Sequence, residues 1–205
     1  MGRRRSSRAG DSVESVFDAV VLAGGAARRL GGADKPAERV GGISLLGRVL
    51  NAVGAARRVV VVGPHRELER DVTWRREVPV GAGPVAAIAA GLPATSAPTV
   101  VVLAADLPDI APAIAPLLSA VSGGAKVALL ADADGQPNYL AGAWRRDALQ
   151  AALRAVGDPA NAPVRALVAA AGEQALVPDA GGWGRDCDTW DDLAEARQRH
   201  DRRNG

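Results

Sequence analysis

A three-layer α/β sandwich, with helices on both faces of a mostly parallel sheet, is the fold class predicted by this 205-residue sequence. Two observations lead to it. Short runs such as Val59-Val60-Val61-Val62 and Thr99 to Ala105 are nearly continuous in Val, Leu and Ala, as strands buried on both faces are. Segments of helical period lie between these runs, and strand alternating with helix builds a sheet covered on both sides. A third observation fits the same class. The chain is 48% hydrophobic, enough for one good core, with no apolar run near the ~18 residues that a membrane span needs.

The expected strands, in order, are Phe17 to Ala23, Arg58 to Val62, Thr73 to Val78, Thr99 to Ala105, Val127 to Ala131 and Tyr139 to Ala143, with a weaker one at Gln174 to Val177. Between them, Ser44 can cap a helix that carries Leu45, Leu46, Val49, Leu50 and Val53 on one face. Pro84 suits the first turn of a helix ending near Gly91. Further helices are expected at Ala113 to Val121, Arg145 to Val156 and Ala162 to Ala171. Thr189 followed three residues later by Asp192 has the spacing of a capping box opening a helix toward Arg199. The resulting division is a disordered basic arm at 1–16, a single domain at 17–200 and a disordered tail at 201–205.

Charge and cysteine content exclude some functions. Lys and Arg exceed Asp and Glu by 25 to 23, a formal net charge of +2, so no basic stripe marks a nucleic-acid binder and no membrane partner is indicated. The one cysteine, Cys187, has no internal disulfide partner, and a reducing cytoplasm is the expected compartment. It stands between Asp186 and Asp188, which oppose thiolate formation. His65 and His200 lack the spacing of a zinc site or a triad. Trp144, after the Tyr139 to Ala143 run, reads as core.

In a sheet of this kind ligands bind beyond the carboxyl ends of the strands. The first strand runs into Val20-Val21-Leu22-Ala23-Gly24-Gly25-Ala26-Ala27-Arg28-Arg29-Leu30-Gly31-Gly32-Ala33-Asp34-Lys35-Pro36. Glycine lets the backbone turn sharply and approach a ligand, and free N–H groups in such a turn form an anion-binding concavity. Arg28, Arg29 and Lys35 add positive charge, so phosphates fit, although glycine-rich turns also serve as ordinary surface punctuation. The spacing is neither Walker A nor GxGxxG. Asp106, after the Thr99 to Ala105 run, places a hard oxygen at the same edge, where it can bind Mg²⁺ or cap the next turn. Asp109 reads as a turn or cap residue.

Leu22-Ala23-Gly24-Gly25, Arg29-Leu30-Gly31 and Asp34-Lys35 together resemble the LAGGxxxR(M/L)GxxDK signature of the MobA-like nucleotidyltransferases. That group includes molybdenum cofactor guanylyltransferase, the nearest in pattern, and the related cytidylyltransferase. More distant members are the sugar-phosphate and isoprenoid-precursor nucleotidyltransferases. The resemblance implies a Rossmann-like sheet of the nucleotide-diphospho-sugar transferase type. It implies that Leu22, Ala23, Gly24 and Gly25 line the nucleotide, that Arg29 and Lys35 bind its phosphates, and that Asp106 is the Mg²⁺ ligand. Arg29, Lys35 and Asp106 are then the catalytic residues.

Other segments extend the likeness. Gly81 to Ile88 resembles the family's GPLxG segment, which brings Gly83 to the nucleoside, and Glu77 stands near a nucleotide-contacting Asp of the guanylyltransferases. Asp186-Cys187-Asp188-Thr189 resembles the closing (N/D)x(N/D)T segment, with Trp190 in place of the usual Pro. Asp188 is there either a second metal-side carboxylate or a helix-entry residue, and Asp186 is a lesser candidate. Gln136-Pro137-Asn138 stands where a substrate-side loop is carried. Gly63-Pro64 replaces an Asn after the second strand.

The implied reaction is transfer of GMP from GTP, with Mg²⁺, to a molybdopterin-type phosphate acceptor, releasing pyrophosphate. Contact with other proteins of molybdenum-cofactor biosynthesis is implied with it. The alternatives are a cytidylyltransferase, or another NTP:phosphate nucleotidyltransferase on the same fold, and a non-catalytic nucleotide-binding regulator. Arg29, Lys35 and Asp106 together argue for the enzyme.

Overall fold

The computed structural model describes residues 16–24 and 34–204. Val runs in the sequence become the centre of a seven-stranded sheet among these residues: β1 (Phe17–Leu22), β4 (Val59–Val62), β5 (Thr73–Arg75), β6 (Thr99–Ala104), β7 (Val127–Ala131), β8 (Pro137–Arg145) and β9 (Ala175–Pro178). Across the sheet the order is β5-β4-β1-β6-β8-β7-β9. All pairings are parallel except those of β8, which runs antiparallel to both β6 and β7. A separate two-stranded ladder joins β2 (Arg39–Val40) to β3 (Ile43–Ser44).

Alternation along β1 divides the core into two layers. Phe17, Ala19 and Val21 face α1 (Leu45–Ala52) and α3 (Ile114–Ser122), where Leu46, Val49, Leu50, Ile114 and Leu117 are buried. Val20 and Leu22 face α2 (Pro84–Gly91), α4 (Arg146–Val156) and α5 (Val164–Ala171), packing with Val85, Ile88, Leu149, Leu167 and Val168. Each Val, Leu, Ile or Phe side chain so removed from water contributes roughly 1.5–3 kcal/mol. This is the expected sandwich, with a mostly parallel sheet between two helical layers. Ser44 caps α1 as expected, accepting from the Gly47 N–H at 3.0 Å.

Several boundaries move for identifiable reasons. The third expected strand ends at Arg75 rather than Val78, because Pro79 has no N–H for a ladder and Val78 is 89% exposed. The Tyr139 to Ala143 strand lengthens to Pro137–Arg145 and takes Trp144 into the core. The Ala113 helix begins as a 3₁₀ turn over Ala111–Ala113. Arg145 and Pro163 stay extended, just before α4 and α5. The β2–β3 hairpin was not foreseen. Its Val-Gly-Gly-Ile pattern is a two-residue turn signal, with Gly41 and Gly42 at φ 60° and 79°. The last helix, α6 (Trp190–Asn204), occupies residues 201–204 that the sequence reading assigns to a tail. Its capping box is reciprocal: the Asp192 N–H donates to Thr189 Oγ1 at 3.2 Å, and Asp192 Oδ2 accepts from the Thr189 N–H at 2.7 Å.

No helix among the described residues is long and apolar enough to cross a membrane.

Candidate active site

Parallel pairing of β1 and β6 brings the ends of both strands to one edge. The Ala105 N–H donates to the Leu22 carbonyl at 3.0 Å, so Asp106 emerges beside the start of the glycine-rich loop. A second seam is made by the Cys187 N–H, which donates to the Asp106 carbonyl at 3.1 Å and sets Asp188 next to Asp106. Lys35, at the head of the 3₁₀ turn Lys35–Ala37, fills the space between the two acids. Its Nζ donates to Asp106 Oδ2 at 2.5 Å and to Asp188 Oδ1 at 2.6 Å.

Burial grades these three residues. The Lys35 side chain is 14% exposed, Asp106 21% and Asp188 41%. Burial lowers the Lys35 pKa, but the hydrogen bonds and charges of Asp106 and Asp188 outweigh it, and the net shift is upward. Lys35 is therefore a fixed cation. Asp186 has its carboxyl pKa raised by burial first, then by the charges of Asp188 and Asp106. Burial, followed by the charge of Asp106, pushes the Cys187 thiol up to about 12. The chain's one thiol is thus held protonated at neutral pH.

Asp106 Oδ1 is buried and has no hydrogen-bond partner among the described residues. An orphaned carboxylate oxygen is costly unless something completes it. Asp106 and Asp188 offer only hard oxygen donors, the type a Mg²⁺ ion takes from one or two carboxylates while substrate phosphates and water complete its shell. The residues present fit such an ion in that sense. Among the described residues no group of three or more His, Cys, Asp or Glu side chains is arranged to hold a metal alone.

Two regions flank this cluster. Toward β4 and β5, Glu77 is buried; its Oε1 accepts from the Gly81 N–H at 2.9 Å, and its Oε2 is also buried, with no partner among the described residues. A Cβ built on Gly24 would lie 3.7 Å from Glu77 Oε1, so this carboxylate sits against the backbone that leaves β1. Gly83, at φ 90°, opens α2 a few residues later. Toward β7, β8 and β9, a cleft of about 1240 Å³ begins at Asp106. It is walled by the β7–β8 turn, the start of α5 and the 179–188 segment, with Tyr139, Arg165 and Arg185 on its lining. Gln136, Pro137 and Asn138 line it too, and Asn138 Nδ2 donates to the Gly184 carbonyl at 2.9 Å.

The structure thus brings Lys35, Asp106 and Asp188 together, with Leu22, Ala23 and Gly24 at the same strand end. Glu77 and Gly83 stand on the β5–α2 segment. Gly25 and Arg29 lie outside the described residues.

Sequence reasoning missed two residues. Asp109 is no mere turn residue: its side chain is 2% exposed and faces Arg48 at 3.6 Å, Arg199 at 3.3 Å and Arg203 at 2.9 Å. It ties α6, and hence the segment bearing Asp188, to the loop bearing Asp106. Arg66 binds Asp34 through both arms of its guanidinium. Neither partnership has a local sequence signal, since the partners lie from 32 to 94 residues apart.

Comparison with known proteins bears on the family and the fold. The family model described as MobA-like NTP transferase domain matches residues 19–176. A Mycobacterium sp. strain JC1 homologue of the Mycobacterium tuberculosis protein Rv0371c superposes with a TM-score of 0.72 at 23% identity, covering 93% of this chain and 99% of that one. Molybdopterin-guanine dinucleotide biosynthesis protein A from Archaeoglobus fulgidus gives 0.67 at 20%, with 90% and 99% covered. The 2-C-methyl-D-erythritol 4-phosphate cytidylyltransferase of Thermus thermophilus also gives 0.67, at 21%, with 89% and 98% covered. At these identities the structural likenesses establish the fold.

Proposed function

Because the chain belongs to the MobA-like NTP transferase family and is a nucleotidyltransferase, we propose that it transfers GMP from GTP to a molybdopterin-type phosphate acceptor, with release of pyrophosphate. The observation that carries this reading is the Lys35–Asp106–Asp188 cluster, set where the glycine-rich loop leaves β1 and where the large cleft begins.

In this reading an oxygen of the acceptor phosphate attacks the α-phosphorus in line. The new O–Pα bond forms as the bond from Pα to the bridging oxygen of pyrophosphate breaks, and that oxygen keeps the electron pair. Asp106 and Asp188 would hold a Mg²⁺ ion, which when bound supplies positive charge to phosphate oxygens. Lys35 is fixed and cationic, so its charge is in place before the triphosphate arrives and needs no reorganisation during reaction. Arg29 would share this role, neutralising charge that grows on pyrophosphate. The cleft from Asp106 to the β7–β8 turn receives the acceptor and holds it on the opposite side of β1 and β6 from the nucleoside. An acceptor that is already an anion needs no general base. His65 fits this picture: it packs against Trp74, with ring centroids 5.0 Å apart. Rate enhancement would then come from orientation and fixed charge.

Glu77 supports guanine. Guanine presents two adjacent donors, N1–H and the 2-amino group, and a buried carboxylate with one unpartnered oxygen is a matching acceptor. The absence of Asn at position 63 has a physical reason. A Cβ on Gly63 would come within 2.6 Å of the Ala23 carbonyl group, so no side chain fits this backbone there.

The test is pyrophosphate release with GTP, CTP, ATP and UTP in turn, each with Mg²⁺ and the molybdopterin cofactor. Release selective for GTP is expected. Selectivity for CTP would move the assignment to a cytidylyltransferase, and binding without release from any nucleotide would point to a different acceptor or a regulator.

A further inference from the structure

The chain leaves the sheet at Ala23-Gly24 and returns at Asp34-Lys35, and one side chain holds both points. Arg66 Nε donates to Asp34 Oδ2 at 2.8 Å and Nη2 to Asp34 Oδ1 at 2.5 Å, a bidentate pair. Its Nη1 donates to the carbonyls of Ala23 and Pro64, both at 3.1 Å. The Arg66 side chain is 15% exposed. The segment just before it is anchored twice against β5: the Gly63 N–H donates to the Arg75 carbonyl at 3.0 Å, and His65 lies against Trp74. Asp34 immediately precedes the 3₁₀ turn that Lys35 opens, and its carboxyl is held below the usual carboxylate range chiefly by the Arg66 hydrogen bonds.

We propose that Arg66 is a positioning residue: by clamping Asp34 to the end of β1 it fixes where Lys35 reaches Asp106 and Asp188. The guanidinium fork suits this task, because it fixes direction as well as charge, which a lysine ammonium cannot do. Arg66 acts through Asp34: its hydrogen bonds go to Asp34, Ala23 and Pro64 rather than to the three site residues. Its kinetic consequence rests on the nucleotidyltransferase reading above; its geometric consequence does not.

A direct probe exists because the chain has only two lysines, Lys35 and Lys126. Lys126 is exposed and serves as an internal reference. Lys35, only 14% exposed and hydrogen-bonded to two carboxylates, is shielded from an amine-acylating reagent in the full-length wild-type protein. Labelling of the two lysines is read by peptide mass spectrometry, with thermal unfolding to confirm the fold. In Arg66→Ala the Lys35-to-Lys126 labelling ratio should rise severalfold, because a Lys35 no longer held against Asp106 and Asp188 becomes accessible to the reagent. Arg66→Lys should lie between, and is the variant to use if Arg66→Ala does not fold. Asp34→Asn should match Arg66→Ala, and the double variant should add nothing, since the pair acts as a unit. Lys35 protection unchanged in folded Arg66→Ala and Arg66→Lys would overturn the proposal, as would additive effects in the double variant. With turnover as a second readout, Arg66→Ala should lose about tenfold in kcat/KM, partly restored in Arg66→Lys. A wild-type protein that releases no pyrophosphate would count against the functional reading, while the labelling ratio would still judge Arg66.

Discussion

Asp106 and Asp188 meet at one lysine, yet the chain delivers them by different means. Asp106 follows a strand buried on both faces, and its place is fixed by parallel hydrogen bonding between β1 and β6. Asp188 lies just before α6, is twice as exposed, and is held by contacts from outside the sheet. Those contacts are the ionic cluster at Asp109 and a small apolar cluster of Val40, Leu45, Cys187, Leu193 and Ala196. The difference is instructive: one half of the site comes with the core, and the other depends on a helix clasped to its surface.

The α6 clasp carries the larger energy. Asp109→Ala leaves Arg48, Arg199 and Arg203 without their shared carboxylate, and removing one partner of a buried pair typically costs about 3 kcal/mol or more. Urea unfolding should show a loss of about that size, and turnover should fall because the Asp188 segment is no longer held. Unchanged stability would mean that the apolar cluster alone holds α6.

The Arg66–Asp34 pair at the strand end contributes less. The Asp34 pKa is lowered, mainly by hydrogen bonding to Arg66, so the pair stabilises the fold above the unfolded value of 3.8 and the contribution is lost as pH falls through the lower folded value. Asp34 is 52% exposed and screened by solvent, so the effect should be a few tenths of a kcal/mol. Wild type and Arg66→Ala should therefore differ more in stability at neutral pH than at a pH below 3.8. A difference that is constant with pH would assign it to the Ala23 and Pro64 carbonyl contacts instead.

How much was legible in the sequence follows the same division. Val59 to Val62 and Thr99 to Ala105 announced central strands, because a side chain that must be apolar on both faces leaves a continuous run. Ser44, Pro84 and the Thr189–Asp192 pair marked helix starts, because capping is chemistry within a few residues. The reversed direction of β8 left no such mark: burial constrains residue type, and strand direction is decided by neighbours distant in sequence. Asp109 read as a turn residue because its three arginines arrive from α1 and α6. Lys35, Asp106 and Asp188 could be singled out by resemblance, but their meeting at a single ammonium could not. The walls of the large cleft are drawn from four separate segments of the second half, each ordinary by itself.

The central claim is that nucleotidyl transfer takes place at the Lys35–Asp106–Asp188 cluster. The measurement that tests it most directly is pyrophosphate release by Asp106→Ala beside wild type and Asp188→Ala, with folding of each confirmed by circular dichroism. Asp106→Ala should lose about a thousandfold, because the cluster loses the carboxylate that orients Lys35 and would hold Mg²⁺, while Asp188→Ala, at the exposed side of the cluster, should lose about tenfold. Wild-type turnover in a folded Asp106→Ala protein would contradict the account.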